Sequence, residues 1–182
     1  MGLLDKKYCS ICGEKIGLLG NRKLEDGNCC KDCARKLSPF FSDRRHSTVA
    51  EIKEQLAYRE ENKGKLAAMH VTRTLGNYTK VLLDEDQGVF IVTSARKWEE
   101  ENPDVIAFSQ VTGCDRDIRE DKNEIKDKNE EGKEVSFNPP RYEYRYSFYV
   151  TIHVNSPWFD EISFKVNDND IDSVYGAAYH EA

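Results

Sequence analysis

Four cysteines near the start of the chain, Cys9, Cys12, Cys30 and Cys33, form two Cys-x-x-Cys pairs separated by seventeen residues. Two thiols three positions apart can converge on one ion across a tight turn, and the stretch between the pairs is long enough to return the chain. The spacing therefore predicts a four-thiolate zinc site. Four sulfurs complete a tetrahedron and leave no open position, so the expected Zn²⁺ is a single structural ion, not a catalytic one. Cys30 keeps the two-residue gap and is preferred to its neighbour Cys29, which would need three intervening residues and reads as a buried or spare thiol. Cys114 stands alone and reads as a small apolar filler.

Little else has a spacing that does chemistry. His46, His70, His153 and His180 are scattered and share no motif. No phosphate-cradling glycine loop, Gly-x-Ser-x-Gly elbow or His-Glu-x-x-His helix is present. Carboxylates are dense over 119–134, but a solvated segment cannot hold two of them at a defined separation. No catalytic residue is assigned, no cofactor is expected beyond the one zinc ion, and the chain is read as non-enzymatic.

The elements that would position the thiols can be read in order. Gly13, directly after Cys12, permits a knuckle turn whose backbone N–H groups face sulfur. Residues 15–19 suit a strand, Gly20-Asn21 a turn and 22–24 the return, with Asp26-Gly27 as a second turn. Cys30 then opens a short helix that Ser38-Pro39 stops. Knuckle, hairpin and ligand-bearing helix make up a treble-clef or zinc-ribbon module over residues 1–39.

Residues 40–65 read as a connector and helix. Thr48 to Glu51 has the form of a capping box, and Val49, Ile52 and Leu56 make an apolar stripe expected to pack on a neighbouring domain. A partner helix is the second reading of that stripe. Asn62-Lys63-Gly64 is expected to end the helix. From about residue 66 the hydrophobic period becomes two. Residues 78–84 and 88–93 read as a hairpin, and a strand region begins at Ile106 and Phe108. Over 141–154, Tyr142, Tyr144, Tyr146, Phe148, Val150, Ile152 and Val154 fall on one face. That face is read as the inner face of a barrel; a stacking platform for single-stranded nucleic acid is the alternative. Ile162, Phe164 and Val166 repeat the pattern. The polar stretch 119–138 is read as a long mobile loop, and residues 169–172 as the start of a helix that runs over 174–182, either short or truncated.

The chain has 182 residues, of which 33% are charged and 38% hydrophobic, and a mean hydropathy of −0.73. These values suit a soluble protein with a modest core. Residues 1–46 hold ten Lys/Arg against six Asp/Glu, whereas 47–182 hold seventeen against twenty-seven. The acidic larger part opposes polyanion binding. No apolar run approaches the roughly 18 residues of a membrane span, and the start lacks the apolar core of a signal peptide. The expectation is a cytoplasmic protein with no membrane partner.

The N-terminal segment resembles a zinc-finger-like domain of unknown function found in a bacterial and phage family. The resemblance rests on Cys9 to Cys12-Gly13, Leu18-Leu19-Gly20-Asn21, Asp26-Gly27, Cys30 to Cys33 and Leu37-Ser38-Pro39. The β-rich remainder, 66–182, is similar to the bacterial pleckstrin-homology-like domain that the same family often carries, with 106–113 matching the strand and turn after its first hairpin. The resemblance implies an α+β protein: a four-cysteine zinc module, a linking helix, then a PH-like antiparallel β-barrel plugged by a C-terminal helix. It also implies zinc binding and a scaffold role. Head-group binding by such a barrel needs basic residues in the first hairpin loop, and 84–88 is acidic instead. The reading is a zinc-binding adaptor whose partner is a protein. Two alternatives stand: nucleic-acid binding through Lys15, Arg22, Lys23, Lys31, Arg35 and Lys36, and a thiol-based redox sensor.

Overall fold

The computed structural model describes residues 6–169; the helical run expected over 174–182 lies outside the described residues. The N-terminal part consists of two small hairpins. β1 (Lys7–Tyr8) pairs with β2 (Lys15–Ile16) around the first cysteine pair, and β3 (Arg22–Lys23) pairs with β4 (Asn28–Cys29) across the Asp26-Gly27 turn. The expected single hairpin from 15 to 24 is thereby corrected. Each strand is two residues long and pairs across its nearest turn, so 15–16 and 22–23 belong to different ladders. Helix α1 (Lys31–Ala34) follows.

Phe40 and Phe41 then diverge. The Phe40 ring lies 5.4 Å from Phe159 in the core of the β-rich part, and Phe41 meets Trp158 edge-on at 6.3 Å while packing on the cysteine-bearing core. A 3₁₀ turn (Asp43–His46) leads to helix α2 (Val49–Ala68). Its capping box is present: Glu51 N donates to Thr48 Oγ1 at 3.3 Å, and Thr48 N donates to Glu51 Oε2 at 2.7 Å. The helix runs through Gly64, past the expected stop at 62–64. A glycine inside a helix costs about 1 kcal/mol, and burial of Leu66 against Leu82, Ile91 and Val105 outweighs it.

The two ends of α2 serve different cores. Ile52 is buried with Cys9, Ile16, Leu24, Cys29 and Leu37, joined by Val49 and Leu56. The apolar stripe read from the sequence therefore packs within the chain. Between these ends lies a buried polar junction. Arg59 Nη1 donates to Asp104 Oδ1 at 2.7 Å, its Nη2 donates to the Asn102 carbonyl, and its Nε donates to the Lys36 carbonyl at 3.3 Å. Ser38 Oγ donates to Asp104 Oδ2 at 2.8 Å. Asn62 donates to Asn102 Oδ1 and the Pro103 carbonyl, both at 2.8 Å, and accepts from Val105 N at 2.9 Å.

The β-rich part holds two antiparallel sheets. One has the order β5 (Arg73–Leu75), β6 (Lys80–Asp84), β7 (Val89–Thr93), β8 (Ile106–Ala107), with the short helix α3 (Trp98–Glu101) between β7 and β8. The other has the order β11 (Glu161–Lys165), β10 (Glu134–Val154), β9 (Val111–Lys128), and a 3₁₀ turn (Phe108–Gln110) links β8 to β9. Phe90, Val92 and Ile106 of the first sheet share a core with Val154 and Ile162 of the second. The sheets do not form a closed barrel. β8 pairs for only two residues before the 3₁₀ turn intervenes, and β5 shares no ladder with the second sheet.

The stretch 119–138 is also corrected. It is no loop: β9 and β10 pair from Val111/Val154 out to Lys128/Glu134, with a bulge between Ser136 and Arg141. The ribbon closes through a tight turn in which Asn129 Oδ1 accepts from Glu131 N at 3.1 Å and Lys133 N at 2.9 Å, and Gly132 adopts φ +76°. Within 119–138 both strands have solvent on both faces, so no buried alternation marks the stretch. Charged and aromatic cross-strand contacts take the place of a core: Lys122 Nζ lies 4.1 Å over the Tyr142 ring and 5.6 Å from that of Tyr144, and Tyr146 donates to Glu120 at 3.0 Å. The aromatic face of β10 divides accordingly: Tyr146, Phe148 and Val154 are buried, whereas Tyr142 is 43% exposed.

Candidate metal centre

The site is built by the first hairpin and the start of α1. Cys9 N donates to the Glu14 carbonyl and Gly13 N to the Cys9 carbonyl, both at 2.8 Å, which folds 9–14 into a knuckle. Gly13 supplies the left-handed φ of +78° that the turn requires. The second hairpin is tied to the knuckle by Ser10, whose N donates to the Asn28 carbonyl at 2.7 Å and whose Oγ accepts from Asn28 N at 3.1 Å. Gly27 packs so closely on Ser10 and Val49 that a β-carbon there would lie 2.6 Å from Val49 Cγ2. Asp26 Oδ1 accepts from Val49 N at 2.7 Å, fixing the start of α2 on the same turn.

The four sulfurs of Cys9, Cys12, Cys30 and Cys33 lie within 4.8 Å of one another and can hold a metal ion. Cys12 Sγ is 3.8 Å from Cys30 Sγ. A tetrahedron with metal–sulfur bonds of about 2.3 Å has sulfur–sulfur edges of about 3.8 Å. Cys9, Cys30 and Cys33 are buried and Cys12 is exposed, so the group lies just under the surface. Backbone donors are aimed at it: Cys30 N donates to Cys9 Sγ at 3.2 Å and Cys33 N to Cys30 Sγ at 3.4 Å. Cys30 thus serves as N-cap of α1 with its sulfur.

Electrostatics favour a cation here. Burial opposes ionisation of Cys9, but N–H groups of Cys12, Cys30 and Ile11 override it and bring the thiol down to about 6. At Cys12 the Glu14 backbone and the Cys33 sulfur pull downward, yet partial desolvation of the sulfur and the sulfurs of Cys9 and Cys30 prevail and the net displacement is upward. Burial pushes Cys33 up strongly, reinforced by the other three sulfurs. Without a counter-ion one thiolate suppresses the next; a dication allows all four to ionise together.

Cys29, the last residue of β4, is fully buried, donates to the Cys30 carbonyl at 3.4 Å, and is pushed up to about 12, by burial first and by Cys9 and Cys30 next. It stays a packed thiol outside the group of four. Cys114 is exposed in β9. His46 and His153 each pair with a carboxylate, Asp43 at 2.7 Å and Asp115 at 2.8 Å, away from the sulfurs. No other group of three or more Cys, His, Asp or Glu side chains arranged to hold an ion occurs among the described residues. Among those residues, no helix is long and apolar enough to cross a membrane.

Residues 7–55 match the family described as Domain of unknown function (DUF4428). The match takes in all four sulfurs and ends inside α2, just past Ile52, the helix residue fully buried in the cysteine core. No curated protein and no solved structure matches the chain.

Proposed function

We propose that Cys9, Cys12, Cys30 and Cys33 hold one structural zinc ion, and that the chain is a non-enzymatic adaptor. The carrying observation is the 3.8 Å sulfur–sulfur edge within a group whose four members lie within 4.8 Å. Zinc suits an all-thiolate tetrahedron, and the fourth thiolate fills the position a catalytic ion would keep for water. The module's apolar core is small, so the metal–sulfur bonds supply folding free energy that burial alone does not. An adaptor role is supported by the open sheets: β9 and β5 are edge strands, and an extended partner segment could add to either.

Elemental analysis and native mass spectrometry test the zinc reading. One zinc per chain is expected in the wild type and in Cys29→Ser, with loss in Cys30→Ser. Cobalt substitution should give the visible absorption of a tetrahedral thiolate site. Oxidised cysteines with no metal would overturn the reading.

A further inference from the structure

Leu18 and Leu19 are 94% and 88% exposed, more than any other large apolar side chain among the described residues. They sit side by side at the tip of the turn after β2, which Gly20 N closes by donating to the Gly17 carbonyl at 3.0 Å. Single exposed leucines are ordinary, but two adjacent ones at a projecting turn form an apolar point that no part of the described chain covers. Basic residues on the segments that lead into and out of the turn make up its collar. Arg22 Nη1 donates to the carbonyls of Leu19 at 3.2 Å and Asn21 at 3.3 Å, which sets the guanidinium at the base of the turn. Lys6, Lys7, Lys15 and Lys23 lie exposed on the adjoining segments. Residues 6–24 hold five Lys/Arg and one carboxylate, Glu14, although the whole chain carries −6.

We propose that the Leu18–Leu19 turn docks on an anionic lipid bilayer, the leucines entering below the headgroups and the Lys/Arg collar resting on the phosphates. Apolar insertion plus basic flanks is the pair of signals that makes peripheral binding stable, since either alone is marginal. The charge asymmetry also orients the molecule, because the acidic β-rich part is repelled and points away from the surface. A nucleic acid would engage the same cations but has no use for the leucines. The expectation of no membrane partner rests on the lack of a spanning stretch and on the acidic turn at 84–88, and neither concerns this tip. The inference goes beyond the zinc reading and survives its failure, because tip and collar belong to the folded chain whatever ion the sulfurs hold.

The test is co-sedimentation of the full chain with vesicles of phosphatidylcholine alone or mixed equally with phosphatidylglycerol. Binding to the mixed vesicles is expected at low salt, weakening as salt rises and falling about tenfold on phosphatidylcholine alone. Leu18→Ser/Leu19→Ser should lose about tenfold of the binding while keeping its metal content and circular dichroism. Lys15→Gln/Lys23→Gln should flatten the salt dependence. No binding of the wild type to the mixed vesicles at low salt, or equal binding by the double-leucine variant, overturns the proposal. So does a wild-type dimer in sedimentation velocity that the leucine variant abolishes, since that would place a second copy on the tip.

Discussion

Arg59 and Asp104 are 45 residues apart in sequence and meet at 2.7 Å, the two side chains only 6% and 0% exposed. Around them Lys36 and Ser38 come from the cysteine-bearing part, Asn62 from α2, and Asn102 from the turn before β8. One ion pair therefore fastens three segments that sequence alone would treat as successive units. Burial pushes the Asp104 carboxyl up, while Arg59 and Ser38 draw it back down. Asp104→Ala leaves a guanidinium buried without its partner and should cost about 3–5 kcal/mol. The double variant Arg59→Met/Asp104→Leu should regain most of that loss in urea unfolding. Equal instability of single and double variants would show that packing, not pairing, is what the site contributes.

Metal removal should act locally at first. With a chelator present, amide exchange protection is expected to fall over 7–55 while β6 and β7 keep theirs. The N-terminal turns of α2 should lose protection with the module, because Val49 and Ile52 pack in its core. Simultaneous loss in β6 and β7 would mean that the chain unfolds as one cooperative body.

Acid should weaken the fold through Asp84. Its carboxylate accepts from His70 N at 2.7 Å, Gln87 N at 3.0 Å and Gln87 Nε2 at 2.8 Å, and the backbone donors hold it below the ordinary carboxylate range. The unfolded chain then binds a proton before the folded one does. The stabilisation is present above the unfolded value of about 3.9 and is lost as pH falls through the lower folded value. In urea titrations between pH 2.5 and 7, Asp84→Asn should lower the acid slope by up to about one proton. An unchanged slope would assign acid sensitivity to other carboxylates.

The β9–β10 ribbon makes its own prediction. Slow amide exchange and cross-strand NMR contacts between Lys122 and Tyr144, which are register partners, are expected in the region that composition marks as mobile. Lys122→Ala should weaken the outer ribbon by about 0.5–1 kcal/mol through the Tyr142 contact. Gly132→Ala, at φ +76°, should loosen the turn further. Rapid exchange throughout 115–128 would return this segment to a loop.

What could be read in advance depended on how locally each feature is encoded. The convergence of Cys9, Cys12, Cys30 and Cys33 was legible because Cys-x-x-Cys spacing is a property of the covalent chain. The start of α2 was legible because Thr48 and Glu51 cap it within four residues, and β10 was legible where Tyr146 to Val154 have one buried face. The outer ribbon has no buried face to impose a period of two, and its only local signal was Asn129 with Gly132 at the turn. The end of α2 was misread because Gly64 is a local signal that the distant packing of Leu66 overrules. Arg59 and Asp104 carried no signal at all: a buried ion pair between remote segments looks, residue by residue, like ordinary surface charge.

The sharing of α2 between two cores bears on how portable the cysteine module is. A segment cut at residue 39, where the second thiol pair and its short helix are already complete, would carry every sulfur yet leave the seat of Ile52 open and the turn at Asp26 without the amide it caps. A self-sufficient finger has to bring the first two turns of the helix with it. Grafted onto another protein, it would need a recipient able to continue that rod, so what can be exchanged between chains is the finger together with its axle.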